Sequence, residues 1–403
     1  MRLTGLTIVI LLALLLPILP VRADQAEFSF SVDSLREAST ALEGRRVGLV
    51  THLAAVDRDG SPTVNVLTTL QGVQLTALFA PEHGIDGSVD AGVPVRTIPG
   101  RTPVYSLYGG SFRPSRQMMS RVDVLVVDLQ DVGVRPYTYA STMALVLTAA
   151  RDANKPVVVL DRPNPMGGMI VDGPVLEPQF RSFIGLYPIP YVHGMTFGEL
   201  ARLYNRAFRI GADLTVIPMQ GWNRGMIWND TGRSWVNPSP GITNSDAVFT
   251  YAATGPLDGT NVWNGVATES RYQVFLAPWI DGPQLAGHLN AKNIPGVTFS
   301  PSAIPHPRKG TIWRGVRVQV TDPRVFRPST TTVHVLAAIR QLYGNQLKFK
   351  RPRRGNYLFD TVWGTKSVRL GLMRGESANT IVAKWQPGLQ KFEQLRENYL
   401  LYK

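Results

Sequence analysis

The sequence predicts an α/β fold: a Rossmann-like, mostly parallel sheet domain followed by a smaller α+β domain. Two observations predict it. The first half alternates apolar runs of strand length with segments of helix length, and the second half loses this alternation. A chain of alternating strands and helices is typical of parallel sheets covered by helices on both faces. We therefore divide the chain into residues 1–23, 24–245 and 246–403.

Four apolar runs of the first half predict buried strands, at residues 47–50, 73–80, 122–127 and 157–160. Helices are predicted over residues 139–154 and 196–208, the second opened by a capping box of Thr196 and Glu199. Residues 222–265 are rich in Trp, Asn, Gly and Pro and predict long loops. Beyond them the pattern predicts helices near 284–292, 331–342 and 378–396, and strands at 297–300 and 315–321.

Residues 1–23 predict a cleavable export signal. Arg2 supplies a positive start, residues 6–19 are almost entirely aliphatic, and Ala23 ends a small-residue cleavage site. The apolar stretch is shorter than the roughly 20 residues of a membrane span, and Pro17 and Pro20 interrupt it. We expect a periplasmic or secreted protein with no stable membrane insertion after cleavage. The absence of cysteine excludes disulfides.

The formal net charge of +13 favours an anionic partner, such as an acidic cell-wall polymer, acidic lipid or nucleic acid. Nucleic acid is the weaker interpretation because no nucleic-acid-binding motif is present and the chain is predicted to be exported. The basic run at residues 348–354 (KFKRPRR) is interpreted as a solvated loop, with a polymer-binding patch as the alternative. The histidines lack metal-ligand spacing and phosphate-binding glycine motifs are missing, so we expect no metal and no cofactor.

Polar residues follow each of the four apolar runs, and parallel strands bring such positions to one edge of a sheet. They are His52 after the first run, Glu82 and His83 after the second, Asp128, Gln130 and Asp131 after the third, and Asp161, Arg162 and Asn164 after the fourth. Asp161 and Asn164 have an equally good interpretation as helix-capping or turn residues. Glu82 lies between Pro81 and Gly84, in a loop rather than a cap.

Several carboxylates accompanied by aromatic and amide side chains are typical of carbohydrate-active sites. Candidate supporting residues are Tyr137, Tyr139, Trp222, Asn261 and Trp263. For each of these, packing in the core is an alternative explanation that the sequence leaves open.

Eight short motifs occur in the order seen in one protein family. They are GLVT (48–51), LFAPEHG (78–84), DLQDVG (128–133), YTY (137–139), LDRPNP (160–165), GPVL (173–176), HGMT (193–196) and WQPGL (385–389). The chain thus resembles the exo-β-N-acetylmuramidase family of the NamZ or YbbC type, formerly a domain of unknown function. The resemblance covers nearly the whole chain after residue 23.

The resemblance implies an active site in a cleft between the two domains. It also implies release of N-acetylmuramic acid from the non-reducing ends of peptidoglycan fragments during cell-wall turnover. Muramic acid carries a lactyl carboxylate, for which Arg135 and Arg162 are the candidate ligands. His193, in the HGMT motif, joins the expected substrate-binding residues. A peptidoglycan-binding protein without catalytic activity is the alternative.

Our hypothesis for the reaction is glycosidic hydrolysis with Glu82 as general acid and His83 positioning it or the substrate. Asp131 or Asp128 would be the second carboxylate, although Asp128 directly follows an apolar run and has an alternative role as a buried structural acid.

Two departures from the family pattern bear on the site. His52 and Leu53 replace the usual Asn-Gln after the first strand, and residues 263–268 (WNGVAT) replace a Ser-Glu-Gly-Arg-Gly-Thr run. Asn264 and Val266 stand where the family has Glu and Arg. If that pair binds the sugar, the change implies a different substrate or lost activity, unless Glu269 or Arg271 replaces the lost charges.

Overall fold

A computed structural model describes residues 27–35 and 42–403, so the predicted export signal lies outside the described residues. The larger sheet consists of six parallel strands: β1 (Arg46–Thr51), β2 (Gln74–Ala80), β3 (Val104–Ser106), β4 (Val124–Asp128), β5 (Val157–Leu160) and β6 (Leu214–Ile217). Their order across the sheet is β3-β2-β1-β4-β5-β6. The predicted α/β fold is confirmed.

The strands are apolar at almost every position because the sheet is buried on both faces. In β4, Val124 and Val126 belong to one core, whereas Leu125 and Val127 belong to the core on the other face. This alternation follows from the two-residue period of a strand. The helices of this part are α1 (Thr63–Thr69), α2 (Arg116–Met119), α3 (Tyr139–Asp152) and α4 (Phe197–Arg206). The predicted capping box opens α4.

The second half contains an antiparallel sheet in the order β7-β9-β8, with strands β7 (Val274–Ala277), β8 (Val297–Pro305) and β9 (Ile312–Val320). Its helices are α5 (Ala247–Thr254), α6 (Gly282–Asn290), α7 (Pro328–Tyr343), α8 (Leu358–Trp363), α9 (Ser367–Met373), α10 (Ala378–Ala383) and α11 (Gln386–Arg396). None of the described helices is long and apolar enough to cross a membrane.

Two predictions of secondary structure were wrong. The predicted loop at 222–265 contains α5, whose short, mostly apolar sequence is buried and shows little helical periodicity. The predicted helix at 378–396 is two helices, α10 and α11. Pro387 stands in the first turn of α11, where it cannot continue a preceding helix because it lacks an amide proton and its ring blocks the previous turn.

The carboxyl-terminal residues return to the larger sheet. The Tyr402 hydroxyl donates a hydrogen bond to Oδ2 of Asp161 at 2.6 Å and accepts one from the amide of Met219 at 2.8 Å. The amide of Leu401 donates to Glu199. These contacts join the end of the chain to the loop after β5 and to α4.

Candidate active site

The loops after β2, β1 and β4 bring Glu82, His52, Gln130 and Asp131 to one edge of the larger sheet. The chain lays β2 and β3 on one side of β1 and then places β4 on the other side, so the strand order reverses between β1 and β4. Ligands of open α/β sheets bind outside such a reversal point. The predicted cluster therefore lies at the expected binding position of this fold.

The carboxyl group of Glu82 is nearly enclosed, with 7% of the residue exposed. The amide of Gly92 donates to Oε1 at 2.8 Å, and the Thr138 hydroxyl lies 2.7 Å from Oε2. An amide can only donate, so Oε1 is fixed as an acceptor, whereas a hydroxyl can either donate or accept. Oε2 is therefore the oxygen on which Glu82 can carry a proton.

Asp131 presents one carboxylate oxygen that makes no hydrogen bond within the part of the chain that the structure describes. Its Oδ2 accepts a bond from the amide of Gly133 at 2.7 Å and lies 3.5 Å from Nε2 of His193, whereas Oδ1 has no partner. His193 Nε2 and Gln130 Oε1 are also buried without a partner among these residues. Buried polar atoms normally have a partner, so this group is arranged for water or a polar ligand.

His52 is neutral and held in one tautomer. The backbone amide of Gln130 donates to its Nε2 at 2.9 Å, so the proton of the neutral ring lies on Nδ1. Burial lowers the pKa of His52 to about 3. Its ring meets the edge of Tyr139 at 4.9 Å between centroids. His52 therefore supports the site as a hydrogen-bonding group and does not exchange protons near neutral pH.

His83 does not hold the carboxyl group of Glu82, contrary to one form of the hypothesis. Its backbone has a positive φ of 74°, which is uncommon for a residue other than glycine, and its Nδ1 lies 2.8 Å from the carbonyl oxygen of Val89. A carbonyl only accepts, so Nδ1 carries the proton. His83 closes the loop that continues to Gly92, whose amide donates to the Glu82 carboxyl group.

Asp128 and Arg162, both predicted to bind substrate, form a buried ion pair with each other, and Nη1 of Arg162 has no partner among the described residues. Nε and Nη2 of Arg162 donate to the two oxygens of Asp128 at 2.6 and 2.7 Å, and Thr63 donates to the same carboxylate at 2.5 Å. Both residues are at most 1% exposed. Of the two candidates for the second carboxylate, Asp131 is the one that is not paired with an arginine in the described structure.

Arg135, the other predicted ligand of a lactyl carboxylate, is likewise directed into the protein, and its Nε has no partner among the described residues. It is 2% exposed and donates to the carbonyl oxygens of Val362 at 2.8 Å and Ile189 at 3.4 Å. Burial lowers its pKa to about 10. The side chain joins the larger sheet domain to α8, and no sequence pattern predicts that it turns away from the sheet edge.

Asp161 and Asn164 have the structural roles that the sequence left open. Asp161 accepts hydrogen bonds from Thr196 and from the amide of Gly198, at the start of α4, in addition to Tyr402. Asn164 stabilises a turn by accepting from the amide of Met166 at 3.0 Å and donating to the carbonyl oxygen of Met195 at 3.2 Å.

Tyr137 and Tyr139 begin a series of aromatic contacts that crosses from the larger sheet domain to the second domain. Tyr139 contacts Tyr137 at 4.7 Å, Tyr137 contacts Tyr251 at 6.2 Å, and Tyr251 contacts Tyr272 at 4.8 Å between ring centroids. The Tyr139 hydroxyl donates to the carbonyl oxygen of Pro238 at 2.7 Å. Burial, followed by charged neighbours that include Glu82, raises the pKa of Tyr272 to about 12. These rings line the boundary between the domains beside Glu82.

The residues predicted at 261–269 take different places. Asn261 bonds to the backbone of Gln346 and Lys348, and the Asn264 side chain is buried 3.4 Å from the carbonyl oxygen of Thr254. Trp263 contacts the rings of His306 and Trp313. Glu269 is exposed, without a polar side-chain contact in the described structure. None of these contacts joins the four residues to the carboxyl groups of Glu82 and Asp131.

An aromatic wall beside Glu82 was missed by the sequence analysis. It consists of Tyr108, Phe112 and Phe183, with ring centroids 4.4 to 5.8 Å apart. Burial, and then the neighbouring carboxylate of Glu82, raise the pKa of Tyr108 to about 12, so its hydroxyl stays protonated and can donate. Phe112 remains 40% exposed. These residues come from two separate loops with no periodic pattern, so nothing in the sequence marks them as neighbours.

The fold and the site together define a two-domain α/β protein with two carboxyl groups, Glu82 and Asp131, at the reversal point of a parallel sheet. No three His, Cys, Asp or Glu side chains within residues 27–35 and 42–403 are grouped to hold a metal ion. The chain belongs to the exo-β-N-acetylmuramidase NamZ family. Residues 47–246 match the amino-terminal domain of that family, and residues 249–402 match its carboxy-terminal domain.

Relatives of known sequence or structure support this assignment. The chain is 41% identical to the peptidoglycan β-N-acetylmuramidase NamZ of Bacillus subtilis, over 90% of this chain and 88% of that protein. Two crystal structures of DUF1343 family proteins from Bacteroides fragilis are similar over 94% of this chain and 99% of theirs. One has a TM-score of 0.85 at 33% identity, and the other has 0.72 at 27%.

Proposed function

We propose that this protein is an exo-acting glycoside hydrolase that releases N-acetylmuramic acid from the non-reducing ends of peptidoglycan fragments. The observation that carries the proposal is the pair of enclosed carboxyl groups, Glu82 and Asp131, on loops of a sheet edge where open α/β folds bind ligands. Glycoside hydrolysis generally needs two such groups, one to protonate the leaving oxygen and one to assist attack on the sugar. The name of the Bacillus subtilis relative supports the same reaction.

In the proposed reaction Glu82 is the general acid and delivers its proton from Oε2 to the glycosidic oxygen. Asp131 acts through its free Oδ1, either activating water or stabilising the positive charge that develops on the sugar ring. His193, whose Nδ1 accepts a hydrogen bond from the amide of Met195, directs Nε2–H towards the Asp131 carboxylate. The aromatic wall offers an apolar surface for a sugar ring, and Gln130 offers an amide oxygen to a sugar hydroxyl.

Export is part of the proposal, since the substrate is a cell-wall polymer. The predicted signal at residues 1–23 supports a periplasmic or secreted location, and the charge of +13 suits a saccharide that carries carboxylates. The division of function between residues 24–245, with the catalytic groups, and residues 246–403, which complete the cleft, belongs to the same proposal.

The test is hydrolysis of a disaccharide of N-acetylmuramic acid linked to N-acetylglucosamine. We expect release of both sugars by the wild type and a roughly 100- to 10,000-fold lower kcat for Glu82→Gln, because an amide cannot supply the proton. Glutamine keeps an oxygen for Gly92 and an amide for Thr138, so the loop stays in place. Glu269→Gln, an exposed change on the loop before Tyr272, is the matched control and should retain activity.

Equal release by wild type and Glu82→Gln would remove Glu82 from its role. No release by the wild type, with muropeptides still bound, would identify a binding protein instead of an enzyme.

A further inference from the structure

The loop at residues 259–264 lies between two basic segments. On one side, Thr260 forms an antiparallel bridge with Phe349, and the Asn261 side chain accepts from the amide of Lys348 at 2.8 Å. The amide of Lys350 donates to the carbonyl oxygen of Gly259 at 2.7 Å. The first residues of the basic run at 348–354 are therefore hydrogen-bonded to this loop.

On the other side, an aromatic cluster joins the same loop to the turn between β8 and β9. The ring of Trp263 lies 4.5 Å from that of His306 and 5.8 Å from that of Trp313, and His306 and Trp313 are 4.4 Å apart. His306 and Trp313 stand on either side of the turn, which carries Arg308 and Lys309. Ile312, beside Trp313, is 49% exposed.

The two segments present eight exposed cationic side chains, and none of them forms an ion pair within the part of the chain that the structure describes. They are Arg308, Lys309, Arg314, Lys348, Lys350, Arg351, Arg353 and Arg354. Residues 282–321 contain no acidic residue at all. Of the neighbouring acids, Asp258 is exposed and lies near Lys350, and Glu269 is exposed on the adjacent loop.

We propose that this surface, formed by the 306–314 turn, Trp263 and the 348–354 run, binds the carboxylate-bearing glycan polymer whose terminal sugar enters the cleft. This proposal rests on the proposed function. Unpaired cations repel one another, and an anionic polymer relieves that repulsion. Aromatic side chains at the centre add an apolar surface for sugar rings. Residues 264–272 connect Trp263 to Tyr272, and the ring contacts of Tyr272 continue through Tyr251 and Tyr137 to Tyr139. The Tyr139 hydroxyl lies 3.3 Å from the carbonyl oxygen of Glu82, so the loop that begins at this surface ends at the aromatic series that reaches Glu82.

The test compares binding to insoluble peptidoglycan, stripped of attached anionic polymers, with hydrolysis of the disaccharide. Arg308→Ser/Lys309→Ser should weaken sedimentation with peptidoglycan roughly threefold to tenfold at low salt, and added salt should reduce the difference. Disaccharide turnover should not change, since neither residue touches the catalytic groups. Arg351→Ser/Arg353→Ser should behave in the same way.

The matched control is Arg116→Ser/Arg121→Ser, which removes the same charge. Both residues precede β4, at the amino-terminal ends of the parallel strands, whereas Glu82 lies at the carboxyl-terminal ends. It should bind peptidoglycan as the wild type does. Equal weakening by the control would show that net charge alone is responsible, and tighter binding of the wild type to duplex DNA than to peptidoglycan at the same salt would show that the partner is a nucleic acid. Either result overturns the proposal. If the wild type fails to cleave the disaccharide but the binding pattern holds, only the proposed hydrolysis fails.

Discussion

The backbone amide of Gln130 donates a hydrogen bond to Nε2 of His52 across the gap between the loops that follow β4 and β1. The bond spans the two strands between which the sheet order reverses, and it fixes both the tautomer of His52 and the start of the loop that carries Asp131. His52 therefore lies at the base of the site as a neutral hydrogen-bonding group.

The buried neutral state of His52 predicts a pH-dependent contribution to stability. Its pKa is about 3 in the folded protein against 6.5 for an ordinary histidine, so the unfolded chain binds the proton first as the pH falls. The folded protein should therefore lose stability between about pH 6.5 and 3, on the order of 3–5 kcal/mol from this residue over the whole window. Denaturant unfolding at pH 7 and pH 4.5 should show a smaller loss for His52→Gln than for the wild type.

Asp161 titrates in the opposite sense, which makes the comparison with a variant necessary. Burial raises its pKa to about 7, so protonation of Asp161 favours the folded protein as the pH falls. This contribution is common to wild type and His52→Gln and cancels in their difference. An identical pH dependence in both proteins would mean that His52 is protonated in the folded state.

The ion pair of Asp128 and Arg162 predicts a loss of stability rather than a specific loss of catalysis. Asp128→Asn leaves the Arg162 guanidinium buried without a counter-charge and should lower the free energy of unfolding by about 3–5 kcal/mol. The double variant Asp128→Asn/Arg162→Met should recover part of that loss, because the uncompensated charge is gone. A stable Asp128→Asn protein with lost kcat would instead identify Asp128 as a catalytic acid.

The aromatic wall predicts an effect on substrate affinity. Phe112→Ala and Phe183→Ala should each raise KM for the disaccharide roughly threefold to tenfold with little change in kcat, because each removes one ring from the surface offered to the sugar. Phe208→Ala is the control, since Phe208 follows the end of α4, at the edge of the sheet away from Glu82. If KM does not change in either wall variant, the sugar binds elsewhere.

Arg271 is predicted to bind the lactyl carboxylate, now that Arg135 and Arg162 have other partners. One of its nitrogens donates to the carbonyl oxygen of Pro240 at 3.0 Å, and the side chain is half-buried directly before Tyr272. Arg271→Ala should reduce the preference for a muramic acid over a glucosamine terminus roughly 10- to 100-fold, since it removes a charge-assisted hydrogen bond.

Measurement of kcat/KM on both disaccharides tests this prediction, with Arg116→Ala as a control for the loss of one positive charge. An unchanged preference in Arg271→Ala would exclude the assignment.

The sequence alone determined the class of fold and the main catalytic candidates. Near-continuous apolar runs predict strands that are buried on both faces, as in a parallel sheet. Parallel strands bring the residues that follow them to one edge of the sheet, so the sequence alone predicts that Glu82, Asp131, Gln130 and His52 lie together. Only the tertiary structure decided what each side chain contacts. Asp128 and Arg162 follow strands in the same way as the site residues do, but they point into the protein and neutralise each other. Phe112 and Phe183 carry no periodic signal because loops bring them together. A strand end fixes where a residue lies along the sheet edge, whereas packing and charge pairing fix the direction of its side chain.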